Sequence, residues 1–174
     1  MRLRMGLRML AAVAALCAGG QIASAQVKVA VINLQRAVLE SAEIKKASAE
    51  LQAKFKPRAD QIDQLQKEIA GISQQLQSGA GKLSPQAEGD LNAQGQRKQR
   101  DLQRYQEDLQ GDVDRERNEI LSKSTQKMSE VVKKIAEEKG FDMVVDVTTT
   151  VYFKPAMEIT AEAIAAYDKA YPAK

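Results

Sequence analysis

The sequence predicts an α+β protein that is mostly α, with a long antiparallel helical hairpin, a small β-rich body and a short C-terminal helix. Three observations lead to this prediction. Apolar residues recur at helical spacing through most of the chain, a turn-forming segment interrupts them near the middle, and β-branched runs lie on both sides of the helical region. Buried residues recur at different spacings in helices and in strands, so these patterns distinguish a helical arm from a body that contains strands.

The first 25 residues have the pattern of a secretory signal peptide. Arg2, Arg4 and Arg8 precede an apolar run at residues 9–18, and small residues occupy positions 23 and 25. This pattern is typical of export signals, and cleavage is expected after Ala25. The apolar run is too short for a transmembrane helix. We therefore expect a mature chain that is soluble in the periplasm.

Removal of this segment changes the charge balance. The chain has 26 basic and 23 acidic residues, and the three arginines of the segment account for the whole net charge of +3. A mature chain with 23 side chains of each sign has no electrostatic preference for nucleic acid, and none is expected as a partner.

The mature chain also lacks the side chains on which many catalytic and metal sites depend. It has no His, and the single Cys, Cys17, lies in the signal segment. Zinc, copper and haem sites lose their usual ligands, and histidine-based triads are excluded. No phosphate-binding loop or nucleophile elbow is present. We expect no catalytic residue, no cofactor and no metal, and therefore no enzyme.

The β-branched segment 27–33 predicts the first strand of the body, within residues 26–35. We expect residues 36–139 to form the arm. Its first helix is expected to start near residue 34 and to end near residue 78, and a turn near residues 79–84 follows. Ser84 is a suitable N-cap, Pro85 suits the first helical position, and Gly140 is a natural stop. If the chain folds back at the turn near residues 79–84, apolar residues of the two helices meet along a seam. The candidates for this seam, or for contact with a partner, are Ile62, Leu65, Ile69, Leu102, Tyr105 and Leu109.

Residues 140–174 are expected to complete the body. Residues 141–147 and 150–153 predict a β-hairpin, and Thr160 is expected to cap a final helix over residues 161–170. Three short strands and one helix cannot bury all the apolar residues of such a body, so self-association is expected. The oligomerisation candidates are Val29, Val31, Val144, Val145, Val147, Val151 and Phe153.

The distal half of the arm has an unusual composition for a rigid coiled coil. Glutamine is abundant across residues 74–110, and several glycines lie within the predicted helices. A glycine inside a helix costs about 1 kcal/mol relative to alanine. We therefore expect a pliable arm.

Three segments, in their order around the hairpin, resemble the Skp family, also called the OmpH-like proteins. They are the strand at residues 27–33 after the signal segment, the run KGFDMVVD at residues 139–146, and Glu158-Ile159-Thr160 before the last helix. The resemblance covers nearly the whole chain. It implies a homotrimer with a β-rich trimerisation body and three coiled-coil arms around a cavity. It also implies ATP-independent binding of unfolded outer-membrane β-barrel proteins before their insertion into the membrane.

The resemblance leaves two points open. Well-known members are strongly basic and attract acidic clients and lipopolysaccharide, whereas the mature chain is neutral, so lipopolysaccharide remains an open partner and no residue is assigned to it. A chaperone would bind many unfolded proteins. The alternative is a coiled-coil scaffold or adaptor of the cell envelope, which would bind one folded partner.

Overall fold

The computed structural model describes residues 27–173, and the expected signal peptide with its cleavage site at Ala25 lies outside them. Most of the described chain is helical, and two helices account for most of that. The elements in chain order are β1 (Val29–Ile32), α1 (Leu34–Glu40), α2 (Ala42–Ser78), α3 (Pro85–Lys139), β2 (Met143–Asp146) and α4 (Thr160–Ala170), with 3-10 turns at Val147–Thr149 and Pro155–Met157.

Helices α2 and α3 form the arm. They have 37 and 55 residues, which correspond to lengths of about 55 Å and about 80 Å. The ends predicted from local sequence are confirmed: the Ser84 side chain accepts a hydrogen bond from the backbone N–H of Ala87, and Gly140 ends α3 with φ of 66°. Helix α2 continues through Pro57.

The first helical segment is divided at Ser41, although the sequence predicts one helix from about residue 34. Ser41 is buried and has extended backbone angles, φ −62° and ψ 147°. Its hydroxyl donates to the carbonyl of Val38 at 2.8 Å and accepts from the N–H of Ile44 at 3.4 Å. The same side chain therefore ends α1 and starts α2.

The predicted β-hairpin is wrong, because β2 pairs with β1 and, among residues 27–173, no further strand follows it. The two strands are parallel, with Val29 opposite Met143 and Ile32 opposite Asp146. The carbonyl of Val31 also accepts a hydrogen bond from the N–H of Ile159 at 2.9 Å. Parallel strands need a long crossover connection between them, and α1, α2 and α3 supply it here.

Local hydrogen bonds explain why the chain turns at residues 147–150 and does not continue as a strand. The Asp146 carboxylate accepts from the N–H of Thr148 at 2.8 Å and from its hydroxyl at 2.6 Å, and the hydroxyls of Thr149 and Thr150 donate to the Asp146 carbonyl. Such side-chain bonds to the nearby backbone compete with strand pairing. They produce a 3-10 turn where sequence reasoning placed a strand end.

The main core lies where the arm meets the body. It joins one face of the sheet, α1, the base of the arm and α4, and its buried members are Ala30, Ile32, Ala37, Val38, Ile44, Met128, Val131, Ile135, Ile159, Ala163 and Tyr167. Helix α1 thus packs with the body, although the sequence assigned residue 36 onward to the arm. Thr160 does not cap α4; its hydroxyl accepts from the N–H of Asn33 at 2.9 Å and donates to Glu158 at 2.9 Å.

Candidate functional site

The seam candidates of the arm lie between α2 and α3 to different depths. Ile62 is buried, whereas Leu65, Ile69, Leu102, Tyr105 and Leu109 are all half-buried. Half-buried apolar side chains along most of the arm reflect a contact between only two helices, which cannot cover their apolar faces completely. The arm therefore keeps apolar surface accessible along its length.

Ion pairs join the two helices of the arm. Lys54 bonds to Glu116 at 2.5 Å, and Arg58 bonds to Asp112 at 2.7 Å. These pairs lie on either side of Phe55 and place it opposite residues 112–116 of α3. A chain folded back at residue 82 would align Phe55 with Leu109, which lies about one to two helical turns nearer the tip. Nearer the tip, Lys98 bonds to Glu68 at 2.6 Å.

The ion pairs favour the charged carboxylates. The hydrogen bond from Arg58 lowers the pKa of Asp112, and its positive charge acts in the same direction. The hydrogen bond from Lys98 likewise lowers the pKa of Glu68. Both carboxyl groups are solvated, so these pairs contribute more to the alignment of the helices than to stability.

An open apolar groove runs along the proximal half of the arm between α2 and α3. Its volume is about 730 Å³, within the range of ligand-binding clefts, and Leu109 is the seam candidate that lines it. Most of its wall is aliphatic or aromatic. The apolar lining residues are Leu39, Ile44, Leu51, Phe55, Ala59, Leu109, Val113, Ile120 and Leu121.

Polar side chains border this arm groove. Ser48 and Gln52 lie along α2, and Lys56 is paired with Asp60 at 2.8 Å on the same helix. Arg117, from α3, also lines the groove, and within residues 27–173 no carboxylate lies within ion-pair distance of its guanidinium. The groove therefore combines an apolar wall with a cation that has no partner in the described chain.

A buried polar network fastens α4 to the base of the arm. Tyr167 has no exposed surface, and its hydroxyl donates a hydrogen bond to the Glu43 carboxylate. Lys127 of α3 bonds to the same carboxylate at 2.5 Å. The next residue of α4, Asp168, accepts from the N–H of Ala42 at 2.9 Å. Helix α4 thus contacts the first turn of α2 through two adjacent side chains.

The environment of this network shifts the pKa of Tyr167 and that of Glu43. Burial raises the pKa of the Tyr167 hydroxyl, and its hydrogen bond to Glu43 raises it further. Burial also raises the pKa of Glu43, but the hydrogen bonds from Lys127 and Tyr167 outweigh it and leave that pKa below its ordinary value. Glu43 is therefore a carboxylate at neutral pH. Sequence reasoning missed the network because its partners are far apart in the chain.

The oligomerisation candidates differ widely in exposure. Val31 is buried, and Val29, Val144, Val145, Val147 and Phe153 are half-buried. Val151 is fully exposed, and its neighbour Tyr152 is 79% exposed. The segment expected to be a strand is thus the most exposed apolar part of the body.

Within residues 27–173, no group of three or more Cys, Asp or Glu residues is arranged to hold a metal ion. No helix in the same part of the chain combines the length and the apolar character needed to cross a membrane.

Comparison with known proteins identifies the fold and the family. A family model described as "Outer membrane protein (OmpH-like)" matches residues 28–167. The chain belongs to the OmpH-like family. A solved structure from Caulobacter crescentus, described as that of a candidate outer membrane chaperone (OmpH-like), is 20% identical in sequence. It covers 87% of this chain and 89% of its own, with a TM-score of 0.69. The comparison with curated proteins gave no match.

The family match confirms the resemblance noted from the sequence and spans both the arm and the body. The likeness to the solved structure concerns the fold, because the two sequences are only 20% identical. In this OmpH-like chain, the arm groove and the network at the arm's base are the features that sequence reasoning did not predict. The groove combines residues of α2 and α3, and the network combines residues of α2, α3 and α4.

Proposed function

We propose that this OmpH-like chain is a periplasmic, ATP-independent holdase chaperone that binds unfolded outer-membrane proteins between its helical arms and prevents their aggregation before membrane insertion. The open apolar surface of the arm carries the proposal. Large exposed apolar surfaces are rare on soluble proteins unless they bind something. An unfolded β-barrel protein exposes apolar side chains that such a surface could cover. The description of the Caulobacter crescentus protein as a candidate chaperone agrees with this role.

Binding without ATP requires many weak contacts that form and break readily. Several arms around one client would raise the effective local concentration of each contact site. The mixture of half-buried apolar residues and solvated charges along the arm fits contacts of this kind.

A homotrimer is part of the proposal, and the body supplies the support for it. Met143, Val151 and Tyr152 are exposed apolar residues within ten positions of one another. In addition, β2 pairs with β1 on one side only, and unpaired strand edges favour association. Sedimentation of the mature protein at micromolar concentration should give a trimer, and a monomer would contradict this part of the proposal.

Dilution of a urea-unfolded porin into buffer tests the chaperone activity. Light scattering should be suppressed at stoichiometric concentrations of the protein, without nucleotide. Equal scattering with and without the protein would contradict the proposal and favour the envelope scaffold, which predicts binding to one folded partner. Export is tested separately, because N-terminal sequencing of the periplasmic protein should show that cleavage follows Ala25.

A further inference from the structure

We propose that the arm groove binds one extended segment of alternating apolar residues that also carries a carboxylate. The inference rests on the proposed function and assigns the contact site and the chemical class of the segment. It depends on three properties of the groove: its lining, its length and the charge of Arg117.

The lining determines which side chains are bound. Leu51 and Phe55 of α2 line the groove together with Val113 and Ile120 of α3. Each apolar side chain that enters exchanges water for this wall, which is favourable at roughly 25 cal/mol per Å² of buried apolar surface. A polar segment would gain little and would lose hydration.

The length of the groove matches an extended chain. Its lining on α2 reaches from Ile44 to Asp60, which is about 24 Å along the helix. A strand of about seven residues spans the same distance. Because alternate side chains of a strand point to opposite faces, three or four of them would face the groove. Membrane-spanning β-strands have about 9–11 residues and alternate in this manner.

The charge at the rim favours an acidic group. The neighbouring cation Lys56 already has Asp60 as a partner. Arg117 has no carboxylate partner among residues 27–173, and its planar guanidinium can bind a carboxylate through two hydrogen bonds. A segment with a carboxylate beside its apolar residues would contact the apolar wall and bind Arg117 at the same time.

A synthetic peptide provides the test. The probe has about nine residues with alternating leucine and serine, one tryptophan and one glutamate. The full mature protein contains no tryptophan, so the peptide is the only source of tryptophan emission. Binding should shift this emission to shorter wavelength and give a dissociation constant.

Two matched variants place the binding site. Ala59→Phe fills the groove from an exposed helical position, whereas Ala53→Phe introduces the same side chain at an exposed position of α2 outside the groove. Ala59→Phe should weaken peptide binding by about tenfold or more, the equivalent of one lost apolar side-chain contact. Ala53→Phe should leave binding unchanged. Equal affinity of the wild-type protein and Ala59→Phe would overturn the inference.

Arg117→Gln tests the charge with a variant that leaves the groove wall intact. It should weaken binding of the glutamate peptide by about threefold and leave an otherwise identical glutamine peptide unaffected. Equal effects on both peptides would overturn the assignment of the carboxylate.

Sedimentation tests whether the groove is occupied by a second copy of the chain and not by the peptide segment. If Ala59→Phe dissociates the oligomer while peptide affinity is unchanged, the groove is an interface between copies and the inference is overturned. Porin aggregation is measured in parallel. A wild-type protein that suppresses porin scattering but does not bind the peptide overturns this inference alone, whereas failure to suppress scattering overturns the proposed function.

Discussion

The substitution Tyr167→Phe tests whether α4 is fastened to the base of the arm through the Glu43 carboxylate. Phenylalanine keeps the buried ring in place, so no cavity forms and the substitution removes only the hydroxyl, with its hydrogen bond to Glu43. Bonds to charged groups contribute about 1.5–3 kcal/mol. The Glu43 side chain is 30% exposed and keeps its bond to Lys127, so the lower end of this range, about 1.5 kcal/mol, is expected.

This loss should be visible in thermal unfolding. For a chain of this size, 1 kcal/mol corresponds to about 2–4 °C, so Tm should fall by about 3–6 °C. Far-UV circular dichroism measures the transition, at one fixed protein concentration because association also stabilises the folded state.

Tyr152→Phe is the matched control, because it removes the same hydroxyl from a side chain that is 79% exposed. Its Tm should equal that of the wild-type protein. The same Tm for Tyr167→Phe and Tyr152→Phe would refute the reasoning, since the hydroxyl of Tyr167 would then contribute nothing to the stability of the arm's base.

Three further predictions concern pH, the core and the helix backbone. The folded-state pKa of Glu43 lies below its ordinary value of 4.5, so its stabilising bonds are present above that pH and are lost as pH falls through the folded-state pKa; the Tm difference caused by Tyr167→Phe should shrink between pH 7 and about pH 3. Met128→Ala, at a fully buried position, should reduce the free energy of unfolding by about 2–5 kcal/mol in urea titrations. Gly111→Ala should raise Tm, because an added Cβ meets open space and alanine favours helix by about 1 kcal/mol, whereas Gly140→Ala should lower Tm because φ is 66° there.

The outcomes that contradict these predictions are specific. A Tm difference that is constant with pH would separate the Tyr167 hydroxyl from the charge on Glu43. Val27→Ala provides a control for the core prediction, since Val27 is 64% exposed and its truncation should cost much less. A lower Tm for Gly111→Ala would indicate that the glycine serves packing between arms.

Residues close in sequence determined the arm. The N-cap at Ser84 acts on a backbone N–H three residues away, and Gly140 ends α3 because the left-handed backbone there suits a residue without a side chain. Such interactions are present in the sequence as short patterns. The apolar spacing of residues 62–76 similarly predicts one face of a helix wherever the rest of the chain lies.

The body shows where local patterns were insufficient. Residues 150–153 have strand propensity, but they follow a turn that is held by hydrogen bonds around Asp146, and β2 pairs with β1 instead. Strand propensity depends on the partner and on burial, and neither is visible in a short segment. The same holds for Ser41, where the helix break is accompanied by a bond from Ala42 to Asp168 on α4.

The sequence by itself determined the helical hairpin, its turn and its caps, together with the neutral charge of the chain that follows the expected signal peptide. Only the tertiary structure decided the parallel strand pair, the network that joins Glu43 to Lys127 and Tyr167, and the open groove beside Arg117. The physical reason is sequence separation. Caps and helical faces involve residues within one or two turns, whereas Tyr167 and Glu43 are 124 positions apart and meet only once the arm has folded back.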